Sequence, residues 1–279
     1  MRKLVVSCLA VFAMLQIAFA QIQQNDQQND RQELKAAIKA QRDAILQERQ
    51  IRLQPTPNAA VVTAADVGEP DSFGKSAEFL GVAQSGTILI DPTCDPAQIG
   101  TLGPDDHCIT VPDPSVPVPA TTFNNIARIT IPGKSVANII YAISNHTISF
   151  DMFNPNATPA QGRLSYVPGI TIESVALNDP SLINPNTGLP FNGSFTTSGV
   201  GTYFTNKTLQ PGDSDFLTNS YTRANTTGFS RTFFASLGLS DAVIKQLYSN
   251  PVTVKLNVTV SSRFVDSAVL LYTARFLGN

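Results

Sequence analysis

Val252-Thr253-Val254-Lys255-Leu256-Asn257-Val258-Thr259-Val260 is the stretch whose pattern decides the fold. Val252, Val254, Leu256, Val258 and Val260 fall on one side of an extended chain, and Thr253, Lys255, Asn257 and Thr259 on the other. Side chains alternate sides along a strand, so this strand packs one face on a core and leaves the other polar, as antiparallel sheets do. Working outward, a strand is expected just downstream at 268–276. Upstream, short runs rich in Val, Ile, Thr, Phe and Tyr predict strands at 77–84, 87–91, 108–111, 127–131, 136–144, 146–153, 171–177 and 195–204. Asp91-Pro92, Asp113-Pro114, Asn154-Pro155, Asp179-Pro180 and Asn250-Pro251 punctuate them as turn initiators. Between Val111 and Pro119 the prolines predict an extended connector.

Helical signals are few after residue 58. Ser240 is placed to cap a helix whose Val243, Ile244, Leu247 and Tyr248 recur at helical spacing and which ends before Pro251. A shorter turn is expected over 230–237. The reading is a mainly β domain over 59–279, an antiparallel two-sheet β-sandwich of jelly-roll-like type with one or two short helices near the C-terminus.

The N-terminal part differs in kind. Arg2 and Lys3 precede the apolar run Leu4 to Leu15, and Ala18-Phe19-Ala20 supplies the small-x-small pattern of a cleavage site. Residues 1–20 therefore read as a cleaved export signal, too short in its apolar run to span a bilayer. Residues 21–58 begin as a Gln/Asn/Asp tract and turn helical from Glu33, with Leu34, Ala37, Ile38, Ala44, Ile45 and Ile51 on or near one stripe. Pro55 and Pro57 stop this coiled-coil-like segment. So narrow a stripe makes a helix that needs a partner, and Leu34, Ile38 and Ile45 are the candidate contacts of a homo-oligomer or of another surface protein.

Once the signal is removed, Cys94 and Cys108 are the remaining cysteines, and in an oxidising compartment they are expected to pair. A metal site built from them with His107 and Asp105 or Asp106 lacks the tight paired spacing of structural zinc ligands, and no metal or other cofactor is expected. Charged residues are 14% of the chain, against roughly 25% in an average globular protein, and the net charge is −2. No basic stripe interleaved with aromatics occurs, so nucleic acid is not an expected partner. After the signal, no run is apolar for long enough to cross a membrane as a helix.

Catalytic patterns are thin. Gly68 to Ser76 has one residue too many between its glycines, and Pro70 among them, for a phosphate-binding loop. Asn184-Pro185-Asn186-Thr187-Gly188 reads as consecutive turns. His107 and His146 are the two histidines, no nucleophile elbow accompanies them, and both are expected at the surface. Asp151 and Glu173 are the carboxylates to consider for glycoside hydrolysis, which needs them on one cleft wall. Asn-x-Ser/Thr triplets at Asn145, Asn192, Asn206, Asn225 and Asn257 are candidate glycan acceptors, whereas Pro159 disfavours Asn156. The expectation is a secreted protein (periplasmic, extracellular or on the cell surface), non-enzymatic, and a structural, surface or matrix component. A glycan-binding module is the first alternative and a carboxylate hydrolase the second.

Overall fold

The computed structural model describes Ala36, Ala40 and residues 78–134, 139–199 and 201–278, with the backbone alone for 217–224. Ala36 and Ala40 are helical and exposed. The expected signal and the contacts Leu34, Ile38 and Ile45 lie outside the described residues.

Eleven strands follow in order: β1 (Glu78–Gln84), β2 (Ile88–Asp91), β3 (His107–Thr110), β4 (Val118–Ile131), β5 (Ile139–Phe153), β6 (Ala160–Glu173), β7 (Ser194–Ser198), β8 (Tyr203–Leu209), β9 (Ser214–Ser230), β10 (Val252–Arg263) and β11 (Val265–Gly278). Three short helices accompany them, α1 (Pro96–Ile99), α2 (Arg231–Ser236) and α3 (Asp241–Ser249). The strands form two sheets. A six-stranded sheet runs β3-β2-β11-β5-β9, with β1 also on β11, and a five-stranded sheet runs β4-β10-β6-β7, with β8 also on β6. β1 and β2 lie end to end along one edge of β11, and β7 and β8 do the same along β6. Each of these pairings is antiparallel except β2 with β3.

Burial alternates as the period of a strand requires. Ala142, Ser144, His146 and Ile148 of β5 face inward, and so do Leu164, Tyr166, Ile170 and Ile172 of β6 and Val252, Val254, Leu256, Val258 and Val260 of β10. The inner faces meet closely: a Cβ added to Gly162 of β6 would stand 2.9 Å from Sδ of Met152 in β5. Between β10 and β11 the chain passes from one sheet to the other through Phe264 alone. That residue is buried at a left-handed φ of 56°, and its carbonyl accepts the Phe153 N–H at 2.9 Å. A buried ring and a fixed backbone bond hold a conformation that a non-glycine residue adopts at some cost. At one end α2 and α3 pack Phe234, Ile244, Leu247 and Tyr248 inward beside Phe195 and Phe229. Ser240 caps α3 through the Val243 N–H, as its position in the sequence requires.

The differences from the sequence reading are local. The described part of the run 136–144, from Ile139, and the run 146–153 belong to one strand, β5. The run 171–177 is the end of β6 followed by a 3-10 turn at Val175–Leu177, and 195–204 divides into β7 and β8. β4 starts nine residues before its expected 127, at Val118, and β9 was not expected at all.

Candidate functional site

Cys94 and Cys108 form a disulfide, their Cα atoms 6.0 Å apart. It ties the end of β2 to β3, and the loop it closes has further anchors. Asp106 accepts the Thr87 N–H and the Gly103 N–H, each at 2.7 Å. Gly86 comes so close to this loop that a Cβ there would lie 1.7 Å from the Asp105 carbonyl oxygen. Asp95 caps α1 by accepting the Ala97 N–H at 2.9 Å, and Pro96 fits the first helical position. The carboxylates of Asp95 and Asp106 are thus used by the turns of this loop and its neighbour. His107 is half-buried and stacks on Phe123 of β4, ring centroids 4.8 Å apart.

His146 overturns its expected surface position. It sits midway along β5, fully buried, with Nδ1 3.0 Å from the Tyr166 hydroxyl and its ring 4.5 Å from that of Tyr272. The Tyr272 hydroxyl lies 3.2 Å from Ser144 Oγ. Burial raises the Tyr166 hydroxyl well above the ordinary tyrosine pKa, with the nearby Tyr272 adding to it. Burial likewise pushes Tyr272 up to about 12 against the opposing hydrogen bond with Ser144. Gly201, at a φ of 107°, lets the β7–β8 link pass over this cluster, since a Cβ would stand 2.5 Å from His146 Nε2. A side chain there is strained by backbone and by space together.

Asp151 and Glu173 are not brought together. Asp151 is an outward register position of the six-stranded sheet, opposite Ser267 and Phe216, and is fully buried. Glu173 is on the outward side of the five-stranded sheet, where its carboxylate pairs with Lys255. Two sheets separate them, whereas a glycosidase places its carboxyl groups within 10 Å of each other across one cleft. Among the described residues no group of three His, Cys, Asp or Glu side chains is arranged to hold a metal ion. No helix among them is long and apolar enough to cross a membrane.

The candidate acceptors differ in access. Asn192 and Asn206 are exposed, the first in the turn before β7 and the second on β8, while Asn145 is half-buried on β5. Asn257 is taken up by the sheet: its Oδ1 accepts the Asn125 N–H at 2.8 Å and its Nδ2 donates to Thr171 Oγ1 at 2.8 Å. The Nδ2 of Asn225 is enclosed beside Gly201.

What the sequence reading missed is the outward face of the five-stranded sheet. Cross-strand registers stack its side chains in rows. Gln161 sits opposite Thr208, Arg163 lies between Arg263 and Asn206, and Ser165 lies between Ser261 and Phe204. Further along, hydroxyls bond in pairs across the strands, Thr122 with Thr259 at 2.8 Å, Thr130 with Thr253 at 3.0 Å and Thr171 with Thr196 at 2.7 Å. Arg163 lies 5.0 Å over the Phe204 ring and Arg263 lies 5.3 Å from the Phe264 ring. A cleft of about 340 Å³ opens beside Arg263, lined by Asn156, Thr158, Gln161 and Thr208 among others. Each arginine is ordinary in sequence, and pairing of β6 with β10 is what makes them neighbours. Among the described residues the exposed aromatics Phe79, Phe204 and Phe216 form no line: Phe204 is on this sheet, and the other two are at different positions on the six-stranded sheet.

No family model matches the chain. No curated protein matches it. Among solved structures, a chain from "Structure of infectious bursal disease virus Gt strain" aligns with 8% identity over 73% of this chain and 65% of that one. Its TM-score of 0.08 is too low to carry an argument about fold or function.

Proposed function

We propose that this is an exported, non-enzymatic surface or matrix component, in which a jelly roll is joined to an N-terminal helical segment through which copies associate. The observation that carries the reading is the strand order. From β4 to β6 and again from β9 to β11 each strand lies in the opposite sheet from the one before it. This exchange matches a double Greek key if β1 with β2, and β7 with β8, each count as one interrupted strand, giving four strands to a sheet with β3 added outside. Jelly rolls of this plan are used for coats and lectins as well as enzymes. The separation of Asp151 from Glu173 and the use of Asp95 and Asp106 in turn hydrogen bonds favour the coat-like and binding uses over hydrolysis.

The test is the solution mass of residues 21–279 by light scattering over a concentration series. A defined oligomer or a growing polymer supports the assembly role, and loss of it on deleting residues 21–58 assigns the contact to that segment. A monomer at all concentrations overturns the assembly role.

A further inference from the structure

The two sheets differ in charge, although the chain as a whole is slightly acidic. The strands of the five-stranded sheet carry Arg128, Arg163, Lys207, Lys255 and Arg263 against one acid, Glu173. Those of the six-stranded sheet carry Glu78, Asp91, Asp151, Asp215 and Asp266 against Arg223 and Arg275. Glu173 is already paired with Lys255, and Lys207 pairs with Asp215 across to the other sheet. Arg128, Arg163 and Arg263 are exposed and make no ion pair among the described residues.

Arg163 and Arg263 are direct cross-strand partners. Like charges in that arrangement have Cβ atoms only about 5 Å apart and work against the sheet. A position that breaks a local rule without repayment in the fold is where function is expected. Both guanidiniums are also held ready, one over Phe204 and the other beside Phe264, which reduces the freedom lost when they engage a ligand. Their planar forks suit carboxylate and sulfate groups, which accept two parallel hydrogen bonds.

We propose that the outward face of the five-stranded sheet binds an acidic polysaccharide, with Arg163 and Arg263 taking its carboxylate or sulfate groups. The inference gives the proposed surface component a partner and rests on that reading for access to such a polymer. Gln161, Asn206 and Thr208 surround the arginine pair with neutral hydrogen-bonding groups, and Ser165 and Ser261 continue the face. Along β10 the same face leads from Arg263 to Lys255, beside Arg128, roughly 27 Å away at strand spacing, so a chain ligand meets cations at both ends and hydroxyls between. Nucleic acid fits less well. It wants aromatic platforms for its bases, and the one exposed ring of this sheet, Phe204, already lies beneath Arg163.

The experiment measures binding of the full chain to immobilised heparin (sulfated), polygalacturonate (carboxylated), dextran (neutral) and single-stranded DNA, at two salt concentrations. The expected result is binding to at least one acidic polysaccharide, weakened by salt, with dextran not retained. Arg163→Ala with Arg263→Ala weakens it about tenfold or more. Arg275→Ala, which removes one positive charge from the other sheet, leaves binding unchanged, whereas either single alanine variant of the pair weakens it, and the double lysine variant falls between the parent and the double alanine variant. Thermal unfolding confirms that each variant is folded. Absence of binding to both acidic polymers, equal binding to dextran, tighter binding to DNA, or a double alanine variant as tight as the parent overturns the proposal. Light scattering reports on assembly separately, so a monomer that binds, or an oligomer that does not, shows which of the two readings has failed.

Discussion

Polar residues occupy two contrasting regions of this molecule, the gap between the sheets and the outward face of the five-stranded sheet. Between the sheets, His146, Tyr166, Tyr272 and Ser144 are joined to one another by hydrogen bonds and ring contacts. On the outward face, Arg163 and Arg263 stand against each other with aromatic neighbours and no acid. Buried polarity survives only when satisfied, so the inner cluster is accounted for by the fold. Exposed charge meets no such condition, and repulsion between direct partners is unaccounted for until something outside the fold is supplied. The buried histidine, which looks more like chemistry, is the structural one.

That contrast is open to attack at several strengths. The largest expected effect is at a covalent anchor: replacing Cys94 and Cys108 by alanine lowers stability by about 3 kcal/mol, read from urea unfolding of oxidised parent and variant. A loss under 1 kcal/mol means that Asp106 and the packed Gly86 hold the loop without the clip. Next comes the inner cluster at high pH. The folded Tyr272 hydroxyl ionises near 12, against about 10 in an unfolded chain. The folded state therefore keeps a proton that the unfolded state has lost, so the stabilising contribution is whole below pH 10 and disappears as the pH rises through 12. Tyr272 is expected to account for about 2 to 3 kcal/mol of loss over that window, and Tyr272→Phe reduces the loss by that amount without abolishing it, because burial raises the Tyr166 hydroxyl as well. A parent whose unfolding midpoint holds steady to pH 12 contradicts the buried placement.

Tyr166→Phe probes the same cluster at neutral pH. It removes the hydroxyl beside His146 Nδ1 and is expected to cost about 1 to 2 kcal/mol, because the histidine nitrogen is left enclosed. A double-mutant cycle with His146→Phe isolates the pair, and a coupling near zero breaks the claim that these groups satisfy each other.

The cluster also explains what was legible in the sequence. β10 and β11 could be read from alternation because their inward residues are apolar. β9 could not. Its inward registers opposite β5 include Asn225 and Thr227, which face Ser144 and Ala142, so the alternating signal is absent although the strand is the longest among the described residues. For the same reason Asn145 looked like a break between two strands and His146 like a surface residue opening the second, when β5 runs straight through both and Tyr166 of the facing sheet makes the histidine acceptable inside. Tertiary partners override local preference in both cases. The disulfide was legible because two cysteines leave one pairing. The arginine pair was not, since residues 163 and 263 become neighbours only through the register of β6 with β10.

The smallest predicted effect separates the regions most cleanly, because two opposed terms nearly cancel in it and salt removes only one of them. Every substitution in the inner cluster removes a satisfied contact and destabilises. Arg163→Ala removes a positive charge from directly opposite Arg263, along with its contact over Phe204. Relief of repulsion contributes roughly 0.2 to 1 kcal/mol, and the lost cation–π contact at an exposed site takes back about 0.5 to 1. Salt distinguishes the two terms. Repulsion between exposed charges is screened as ionic strength rises, whereas contact of the arginine stem with the ring is not. The variant is therefore expected to lie close to the parent in low salt, where the two terms nearly cancel, and to fall below it by up to about 1 kcal/mol in 1 M salt, as measured by chemical unfolding at both ionic strengths. A parent already the more stable in low salt, by the same margin as in high salt, means that the two guanidiniums do not repel, and the face then holds no strain for an anion to relieve.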